Sequence, residues 1–288
     1  MERTEIHGRL SVVRRRAASF FERLRLSGGR RPGSSPPDKR VAAGAPPASV
    51  VWRLATVAKL HVETAHAKTI VFDIPDWPRH IAGQHVDLRL TAEDGYQAER
   101  SYSIASAPEE HGVGITVDRI PDGEVSPFLN DVLLVGDQIE IRGPFGGYFN
   151  WRTEDGGPLL LIAGGSGLVP LMAMVRHRQA AAGTAEVHLL LSARSVDDVL
   201  YHDELRALST ADGVTVTQTF TRRPPPGWDG FARRIDREML AAVGPAMAAM
   251  PKVYICGPTA FVEHAAELLV GLGHPAQRIR TERFGPTG

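Results

Sequence analysis

Residues 159–170 read LLLIAGGSGLVP, a run of five apolar residues followed by a glycine-rich turn. Such an uninterrupted apolar run is typical of a strand that is buried on both faces of a parallel sheet. Gly164, Gly165 and Gly167 let the backbone approach an anion, and a helix beginning after them would supply unpaired N–H groups and a favourable dipole. The segment therefore predicts the phosphate-binding turn of an α/β domain. A tight strand–helix turn without a ligand is the alternative.

Two familiar fingerprints are excluded at this turn. Pro170 occupies the position where GxGxxG has its third Gly, so the standard Rossmann fingerprint is not met. Leu168 occupies the position where the nucleophile elbow GxSxG requires Gly. Ser166 is therefore not predicted to be a hydrolase nucleophile.

The region around this turn, residues 157–288, alternates between apolar strand candidates and helical stretches. The strand candidates are 159–163, 186–192, 214–220, 252–256 and 278–284, and the helical stretches are 168–182, 198–209, 236–249 and 259–272. Buried strands joined by helical crossovers form a parallel sheet that is covered on both faces. We expect a doubly wound α/β domain here.

Residues 49–151 show short strands separated by turn-rich clusters. The strand candidates are 51–60, 67–74, 84–90, 100–106, 114–120 and 137–143. Six strands at this spacing favour an antiparallel six-stranded β-barrel. One short helix is expected, with Ser126 as its cap and Pro127 at the first helical position.

Residues 1–48 are predicted to be a basic, disordered leader and linker. Residues 1–40 hold 11 Lys plus Arg and four Asp plus Glu. Segment 27–48 is rich in Gly, Pro and Ser and cannot form a core. As the alternative, residues 9–26 form a basic amphipathic helix that docks weakly on a membrane surface or a partner. Five apolar side chains at three- and four-residue spacing support that alternative: Leu10, Val13, Ala17, Phe20 and Leu24. Removal of 1–48 is expected to leave turnover unchanged.

Composition excludes several classes of function. The chain has 33 Lys plus Arg and 33 Asp plus Glu, so a formal net charge of zero gives no overall field that would gather nucleic acid. The single cysteine, Cys256, excludes a disulfide framework, a zinc site of several thiolates and an iron–sulfur cluster held by four cysteines. The 11 histidines include no pair at metal-ligand spacing on a predicted helix, so no metal is expected. No apolar run approaches the ~20 residues of a membrane span, and the expected location is the cytoplasm.

Five short motifs follow one another along the chain. They are Arg100-Ser101-Tyr102-Ser103, Gly123-Glu124-Val125-Ser126, Gly143-Pro144-Phe145-Gly146, Gly165-Ser166-Gly167 and Cys256-Gly257-Pro258. In this order, and divided between the barrel half and the α/β half, they resemble the ferredoxin-NADP reductase superfamily over about residues 50–288. The resemblance implies a flavoenzyme whose barrel binds FAD and whose α/β domain binds NAD(P)H. Hydride then passes from nicotinamide C4 to flavin N5.

On the flavin side, the resemblance implies roles for three residues of one strand. Arg100 offers a planar guanidinium for the pyrophosphate. Tyr102 offers a flat face for the isoalloxazine ring and a hydroxyl for the ribityl chain. Ser103 can form a hydrogen bond near flavin N5. The alternatives are a surface cation for Arg100, a plain core aromatic for Tyr102 and an ordinary strand serine for Ser103. The other implied FAD-binding positions are Val117, Gly123, Val125 and Ser126. The Gly143–Gly146 motif is interpreted as structural.

On the nicotinamide side, the resemblance implies that Gly165, Ser166 and Gly167 hold the pyrophosphate. Cys256, with Gly257 and Pro258, then lies near nicotinamide C4 and holds the ring against the flavin; a buried structural thiol is the alternative. Phe284 resembles the terminal aromatic that covers the flavin, although four residues follow it here. Ser103, Cys256 and Phe284 are thus the predicted catalytic residues.

Arg194 follows the second strand of the α/β half, where the adenosine ribose of the nucleotide is expected. A cation there can neutralise a 2′-phosphate, whereas an acidic residue binds the 2′-hydroxyl of NAD. Arg222 and Arg223 could add to this charge, while Asp197 and Asp198 stand nearby. We therefore expect a slight preference for NADPH over NADH.

The electron acceptor is expected to be a separate one-electron redox protein, a ferredoxin or a metalloenzyme, because the chain ends at Gly288 with one cysteine. Two other functions stay open. One is a diffusible flavin or quinone reductase of the same fold, and the other is a non-catalytic flavin-binding sensor subunit. Bleaching of the flavin by NADPH would distinguish an enzyme from a sensor.

Overall fold

The computed structural model describes residues 2–26, 51–208, 213–245 and 247–285. The strands are β1 (Arg53–Thr64), β2 (Ala67–Asp73), β3 (His85–Thr91), β4 (Gln97–Ser103), β5 (Val113–Asp118), β6 (Gln138–Phe145), β7 (Leu159–Gly164), β8 (Val187–Ser195), β9 (Val214–Arg223), β10 (Lys252–Pro258) and β11 (Ile279–Phe284). The helices are α1 (Glu2–Leu26), α2 (Ser126–Asp131), α3 (Leu168–Ala180), α4 (His202–Leu208), α5 (Arg237–Ala242) and α6 (Thr259–Gly271). None of these helices combines the length and apolar character needed to cross a bilayer.

Strands β1 to β6 form an antiparallel sheet in the order β4-β3-β6-β1-β2-β5. In β3 the side chains of Val86, Leu88 and Leu90 are buried and alternate with more exposed neighbours, as a sheet with one core-facing side requires. An antiparallel bridge between Ile104 and Ile115 joins the chain after β4 to β5 and closes the sheet. The predicted six-stranded barrel is confirmed.

Strands β7 to β11 form a parallel sheet in the order β11-β10-β7-β8-β9. Every residue of β7 is buried. Leu161 and Ala163 belong to the hydrophobic core on one face, and Leu160 and Ile162 to the core on the other face. The sheet is therefore covered on both sides, and the doubly wound α/β fold is confirmed.

Two predicted helices are shorter than expected. The stretch predicted at 236–249 ends as α5 at Ala242, because Gly244 adopts a left-handed φ of 119° and Pro245 follows. The stretch predicted at 198–209 begins only at His202, because Tyr201 has a φ of 56°. In both cases one residue outside the helical region of φ and ψ sets the boundary.

The N-terminal segment differs from the predicted disordered leader, because residues 2–26 form helix α1. Val13, Ala17 and Phe21 are buried against the barrel, and the Phe21 ring lies 5.1 Å from that of Tyr96. Arg16 forms an ion pair with Asp137 of the barrel. The three- and four-residue spacing therefore produces an apolar stripe that covers the protein's own barrel. The predicted linker at 27–48 lies outside the described residues.

Candidate functional site

In the parallel sheet β7 and β10 are neighbours, but the chain continues from β7 to β8 and β9 on one side and from β10 to β11 on the other. The direction in which successive strands are added therefore reverses between β7 and β10. In open α/β sheets, ligands bind beyond the carboxyl ends of the strands at such a point. The turn at Gly165–Gly167 follows β7, and Cys256, Gly257 and Pro258 end β10. Two of the predicted motifs therefore flank one crevice.

Gly167 brings these two motifs into direct contact. A Cβ atom at this position would lie 2.0 Å from the carbonyl oxygen of Cys256 and 2.7 Å from the amide nitrogen of Gly257. Only glycine permits this approach. The turn after β7 therefore packs on the backbone of the Cys256 motif.

Gly165 leaves space where a side chain would otherwise stand. Its φ is 56°, and no atom lies within 4 Å of the position of a Cβ. The turn leads directly into the 13-residue helix α3, whose first turn contains no acidic residue. This combination of open backbone and a positive helix end suits an anionic group.

Cys256 lies within the sheet beside a carboxyl group that the sequence analysis did not select. Its strand position pairs with Ala163 of β7 on one side and with Glu282 of β11 on the other. Burial, together with the charge of Glu282, raises the pKa of the Cys256 thiol well above its usual range. The thiol therefore stays protonated and is not prepared to act as a nucleophile.

Ser103 reaches the same place from the other domain. Its Oγ donates a hydrogen bond to Oε1 of Glu282 over 3.1 Å. Burial raises the pKa of Glu282, and the hydrogen bond from Ser103 opposes this shift. Ser103, Cys256 and Glu282 thus meet where the barrel faces the α/β domain.

Sequence reasoning missed Glu282, although it stands in the same terminal strand as the selected Phe284. The available signal was its position two residues before Phe284, which places both side chains on one side of a strand. What the sequence lacked was the long-range pairing of Glu282 with Cys256. Phe284 itself pairs with Pro258 and is 38% exposed.

The flavin-side motifs are also adjacent in the structure. Arg100 in β4 places Nη2 3.7 Å from Oε2 of Glu124, which belongs to the Gly123–Ser126 motif. The hydroxyl of Tyr96 donates to the other oxygen of Glu124 over 2.7 Å. The Arg100 side chain is 48% exposed and so remains accessible to an anionic ligand. Burial raises the pKa of Tyr102 far above its usual range, which leaves its hydroxyl able to donate.

The structure corrects one detail of the flavin-side prediction and shows where Val117 and Gly123 lie. Ser126 is not the cap of α2, because the cap position is Val125 and the Ser126 Oγ accepts a hydrogen bond from the Ile120 amide. Val117 is fully buried in the barrel core, where its strand requires an apolar inward-facing residue. Gly123 donates its amide to the Ile120 carbonyl and forms the turn before α2.

Arg194 is exposed near the end of β8, as expected for a residue at the carboxyl edge of the sheet. Its neighbour Ser195 pairs in register with Arg223 of β9. Arg223 forms an ion pair with Asp197. Part of the predicted positive charge is therefore neutralised by an acidic residue of the same region. Among the described residues, no group of three or more His, Cys, Asp or Glu side chains is placed to hold a metal ion.

Comparison with known proteins gives two domain matches. Residues 55–150 match the oxidoreductase FAD-binding domain, and residues 161–267 match the oxidoreductase NAD-binding domain. Ferredoxin–NADP reductase B of Sorangium cellulosum is 33% identical over 241 residues, which cover 79% of this chain and 91% of that protein. This chain belongs to the ferredoxin-NADP reductase superfamily.

Some of the relatives are longer than this chain. The glycine betaine monooxygenase reductase subunit of Pseudomonas aeruginosa is 32% identical over 208 residues, covering 71% of this chain and 56% of that protein. The chain thus spans little more than half the length of this curated relative. The FAD/NAD-binding domain of nitric oxide dioxygenase from Vibrio cholerae has a TM-score of 0.71 at 25% identity, over 81% of this chain and 99% of that chain.

The residues present fit the two cofactors of the superfamily. Gly165 provides open space at the start of α3, which suits the pyrophosphate of NAD(P)H. At the start of α6, directly after Pro258, Thr259 Oγ1 is buried without a hydrogen-bond partner among the described residues. A buried hydroxyl without a hydrogen-bond partner gains one when a ligand that carries a donor or an acceptor binds beside it. On the FAD side, the half-exposed guanidinium of Arg100 provides the corresponding charge.

Proposed function

We propose that this protein oxidises NAD(P)H through bound FAD and passes the electrons singly to a separate redox protein. The observation that carries the proposal is the meeting of Ser103 from the barrel with Cys256 and Glu282 from the α/β domain. This meeting lies at the crevice where the two cofactor-binding motifs of the parallel sheet are in contact. When bound, the cofactors supply transfer of hydride from nicotinamide C4 to flavin N5 and the later release of single electrons.

The protein residues bind and align the cofactors. Arg100 neutralises the FAD pyrophosphate, and the turn Gly123–Ser126 binds its other half. The turn Gly165–Gly167 with the start of α3 binds the nucleotide pyrophosphate. Tyr102 packs against the isoalloxazine ring. Alignment of this kind can supply a large part of the rate enhancement, because the reacting atoms are held near contact distance.

Four side chains act at the reacting atoms in this proposal. Ser103 directs its hydroxyl toward flavin N5 and shares a hydrogen bond with Glu282. Glu282, whose pKa is raised by burial, accepts the hydrogen bond of that hydroxyl and so orients it. Cys256 limits the space for the nicotinamide ring without reacting, since its thiol stays protonated. Phe284, which is 38% exposed at the end of the last strand, would cover the flavin when it is bound.

For the nucleotide, we propose a slight preference for NADPH. The supporting observation is the exposed Arg194 at the carboxyl edge of the sheet, where a 2′-phosphate would approach. The neighbouring pair of Arg223 and Asp197 limits the preference, because its charges cancel. Arg194→Glu should therefore impair turnover with NADPH more than with NADH, and an equal loss with both would remove this assignment.

For the acceptor, we propose a ferredoxin or a metalloenzyme. Relatives named as reductase components of monooxygenase systems support this choice. Turnover should be faster with a one-electron redox protein than with free flavin or quinone, and added salt should slow it, because such contacts depend on complementary charge. Equal efficiency with free flavin or quinone, without salt dependence, would instead favour a diffusible flavin or quinone reductase.

Helix α1 also limits how residues 9–26 could dock elsewhere. Its face formed by Val13, Ala17 and Phe21 packs on the barrel, which leaves the outer face with the exposed Val12 for other contacts. The basic Arg15 is also exposed, although it forms an ion pair with Glu93 of the barrel. We propose only a weak electrostatic contact of this face with a partner or an anionic membrane surface, in a cytoplasmic protein. Co-sedimentation with phosphatidylserine vesicles, compared with neutral vesicles, tests it; no difference between the two would contradict it.

The most direct test of the site uses two serines of one motif. Ser103→Ala removes the hydroxyl beside Glu282, whereas Ser101→Ala removes an exposed hydroxyl that donates to Asp87. Anaerobic flavin reduction should slow about 10-fold or more in Ser103→Ala, since a positioned group at a reacting atom contributes at least that factor. It should be unchanged in Ser101→Ala. Equal rates in both variants would contradict the proposed role of Ser103.

A further inference from the structure

A second contact joins the two domains away from the reacting atoms, and its centre is Arg176 of α3. Arg176 Nη1 donates to the carbonyl oxygen of Ala105, in the barrel domain, over 2.7 Å. Its Nε and Nη2 donate to the two carboxylate oxygens of Glu204 in α4, over 2.8 and 2.5 Å. The side chain is only 17% exposed. Such a bidentate ion pair fixes the guanidinium in one orientation, because both oxygens of the carboxylate accept a hydrogen bond from it.

Tyr201 is the second member of this contact. Its hydroxyl forms a short hydrogen bond with Thr116 Oγ1 of β5, and its amide donates to Oε2 of Glu63 in β1 over 3.2 Å. The Arg176 guanidinium lies over the Tyr201 ring, 4.4 Å from its centroid. A residue that begins the segment into α4 in the α/β domain is thus held by two strands of the barrel.

Tyr201 has a backbone conformation that is unfavourable for a large residue. Its φ is 56°, although it is a large residue and 95% of its surface is buried. A bulky residue at positive φ costs roughly 1 to 3 kcal/mol and persists only where surrounding contacts determine it. Burial raises the pKa of Tyr201 to about 12, so its hydroxyl stays neutral and able to donate.

The contact connects the two segments that carry the cofactor motifs. Helix α3 begins directly after the turn Gly165–Gly167, and Arg176 lies eight residues into it. Ala105 stands two residues after Ser103 and donates its amide to Gly114 of the neighbouring strand. A shift of Arg176 relative to Ala105 would therefore move the nucleotide turn relative to Ser103. A nearby contact of His66 in the barrel with Asp198 in the α/β domain is more exposed and fixes the orientation less firmly.

We propose that Arg176 and Tyr201 are positioning residues that set the separation of nicotinamide and flavin, and hence the rate of hydride transfer. The proposal rests on the assignments of Ser103 and of the turn Gly165–Gly167 under Proposed function. Neither residue touches a reacting atom. A misplacement of about 1 Å can cost about 100-fold in rate, so a small relaxation of this contact has a measurable effect.

Two variants test the proposal in the full-length protein loaded with FAD. Tyr201→Phe removes the hydrogen bond to Thr116 and keeps the ring, while Arg176→Lys keeps the charge but cannot hold Ala105 and both oxygens of Glu204 together. Stopped-flow flavin reduction at saturating NADPH should slow by about 10- to 100-fold. FAD content and the dissociation constant for NADP⁺ should stay within about threefold of wild type, because the contact lies outside both binding sites.

Thr219→Val is the matched control. Thr219 is fully buried and donates to the Arg233 carbonyl within the α/β domain over 2.5 Å, so its loss destabilises the protein without touching the barrel. Its melting temperature should fall by an amount similar to that in Tyr201→Phe, with flavin reduction unchanged. A deuterium isotope effect with NADPH labelled at C4 should persist in Tyr201→Phe and Arg176→Lys, because the hydride step itself is slowed.

The outcomes separate this proposal from the one on which it rests. If wild-type flavin is reduced by neither nucleotide, the proposed function fails. If wild-type flavin is reduced but both interface variants match its rate, only the positioning role fails. If Thr219→Val slows flavin reduction as much as the interface variants do, the positioning role is overturned. Loss of the isotope effect in Tyr201→Phe and Arg176→Lys would also overturn it. Either result would attribute the slower reduction to general destabilisation of the protein.

Discussion

Replacing Gly167 with alanine should separate nucleotide binding from flavin binding. The new Cβ would lie 2.0 Å from the Cys256 carbonyl oxygen, 2.3 Å from the carbonyl carbon and 2.7 Å from the Gly257 nitrogen. Ordinary contacts begin near about 3.5 Å, so the turn must move by roughly 1.5 Å. All three neighbours are backbone atoms of a central strand and cannot turn aside as a flexible side chain can.

The size of the effect follows from that displacement. Forcing extra volume into a packed site costs about 1 to 3 kcal/mol, and a shift of about 1 Å at a binding group can lower a rate by about 100-fold. We expect the dissociation constant for NADP⁺ to rise at least about 10-fold, since 1.4 kcal/mol corresponds to a factor of about 10. FAD content should stay at the wild-type level, because the three atoms nearest the new Cβ all belong to β10 of the α/β domain.

Difference-spectrum titration with NADP⁺ and NAD⁺ measures the first quantity, and the flavin absorbance per chain measures the second. Gly147→Ala is the matched control, because its Cβ would meet no atom within 4 Å and its φ is not left-handed. Unchanged nucleotide affinity in Gly167→Ala would refute the placement of the pyrophosphate at this turn. Equal loss of FAD and nucleotide would show that the substitution acts on the whole fold.

Four further perturbations test other parts of the account. Arg100→Ala should lower FAD affinity by about 10- to 100-fold, because a charge-assisted contact contributes about 1.5 to 3 kcal/mol, and full retention of FAD after dialysis would contradict it. Removal of residues 2–26 uncovers the barrel face beneath α1, so the melting temperature should fall; an unchanged value would show that the helix contributes no stability. Cys256→Ala should slow single-turnover flavin reduction with little change in nucleotide affinity, and an unaltered rate would leave the thiol a structural role. Burial raises the pKa of Glu282 in the folded protein, so the folded protein keeps the carboxyl proton at a pH where the unfolded chain has already lost it. The free energy of unfolding should therefore fall as the pH rises from the ordinary glutamate range through the raised pKa. Glu282→Gln should remove that fall in melting temperature, and the exposed Glu263→Gln should not.

The sequence predicted those features that depend on local patterns. Strand β7 was found because its apolar run is buried on both faces, and β3 because its side chains alternate. The turn at Gly165–Gly167 could be recognised because glycine permits a positive φ and a close approach of the backbone, which other residues do not. The order of the motifs then indicated the division into two domains, which the domain matches confirm.

The features that were missed depend on contacts between distant residues. Glu282 joins the site through its pairing with Cys256 and its hydrogen bond to Ser103, which lies 179 residues away in the chain. The docking of α1 requires a barrel surface that matches its apolar stripe, and no local signal specifies that surface. Arg176 resembles any other arginine of a helix until the fold places it beside Ala105 and Glu204.

Anaerobic mixing of the purified, FAD-loaded protein with NADPH, and separately with NADH, tests the central claim most directly. The account predicts that the oxidised flavin absorbance disappears in a single turnover with a nicotinamide nucleotide, somewhat faster with NADPH. Subsequent addition of an oxidised ferredoxin should restore the absorbance. Flavin that stays oxidised in excess of both nucleotides would contradict the claim and favour a non-catalytic flavin-binding protein.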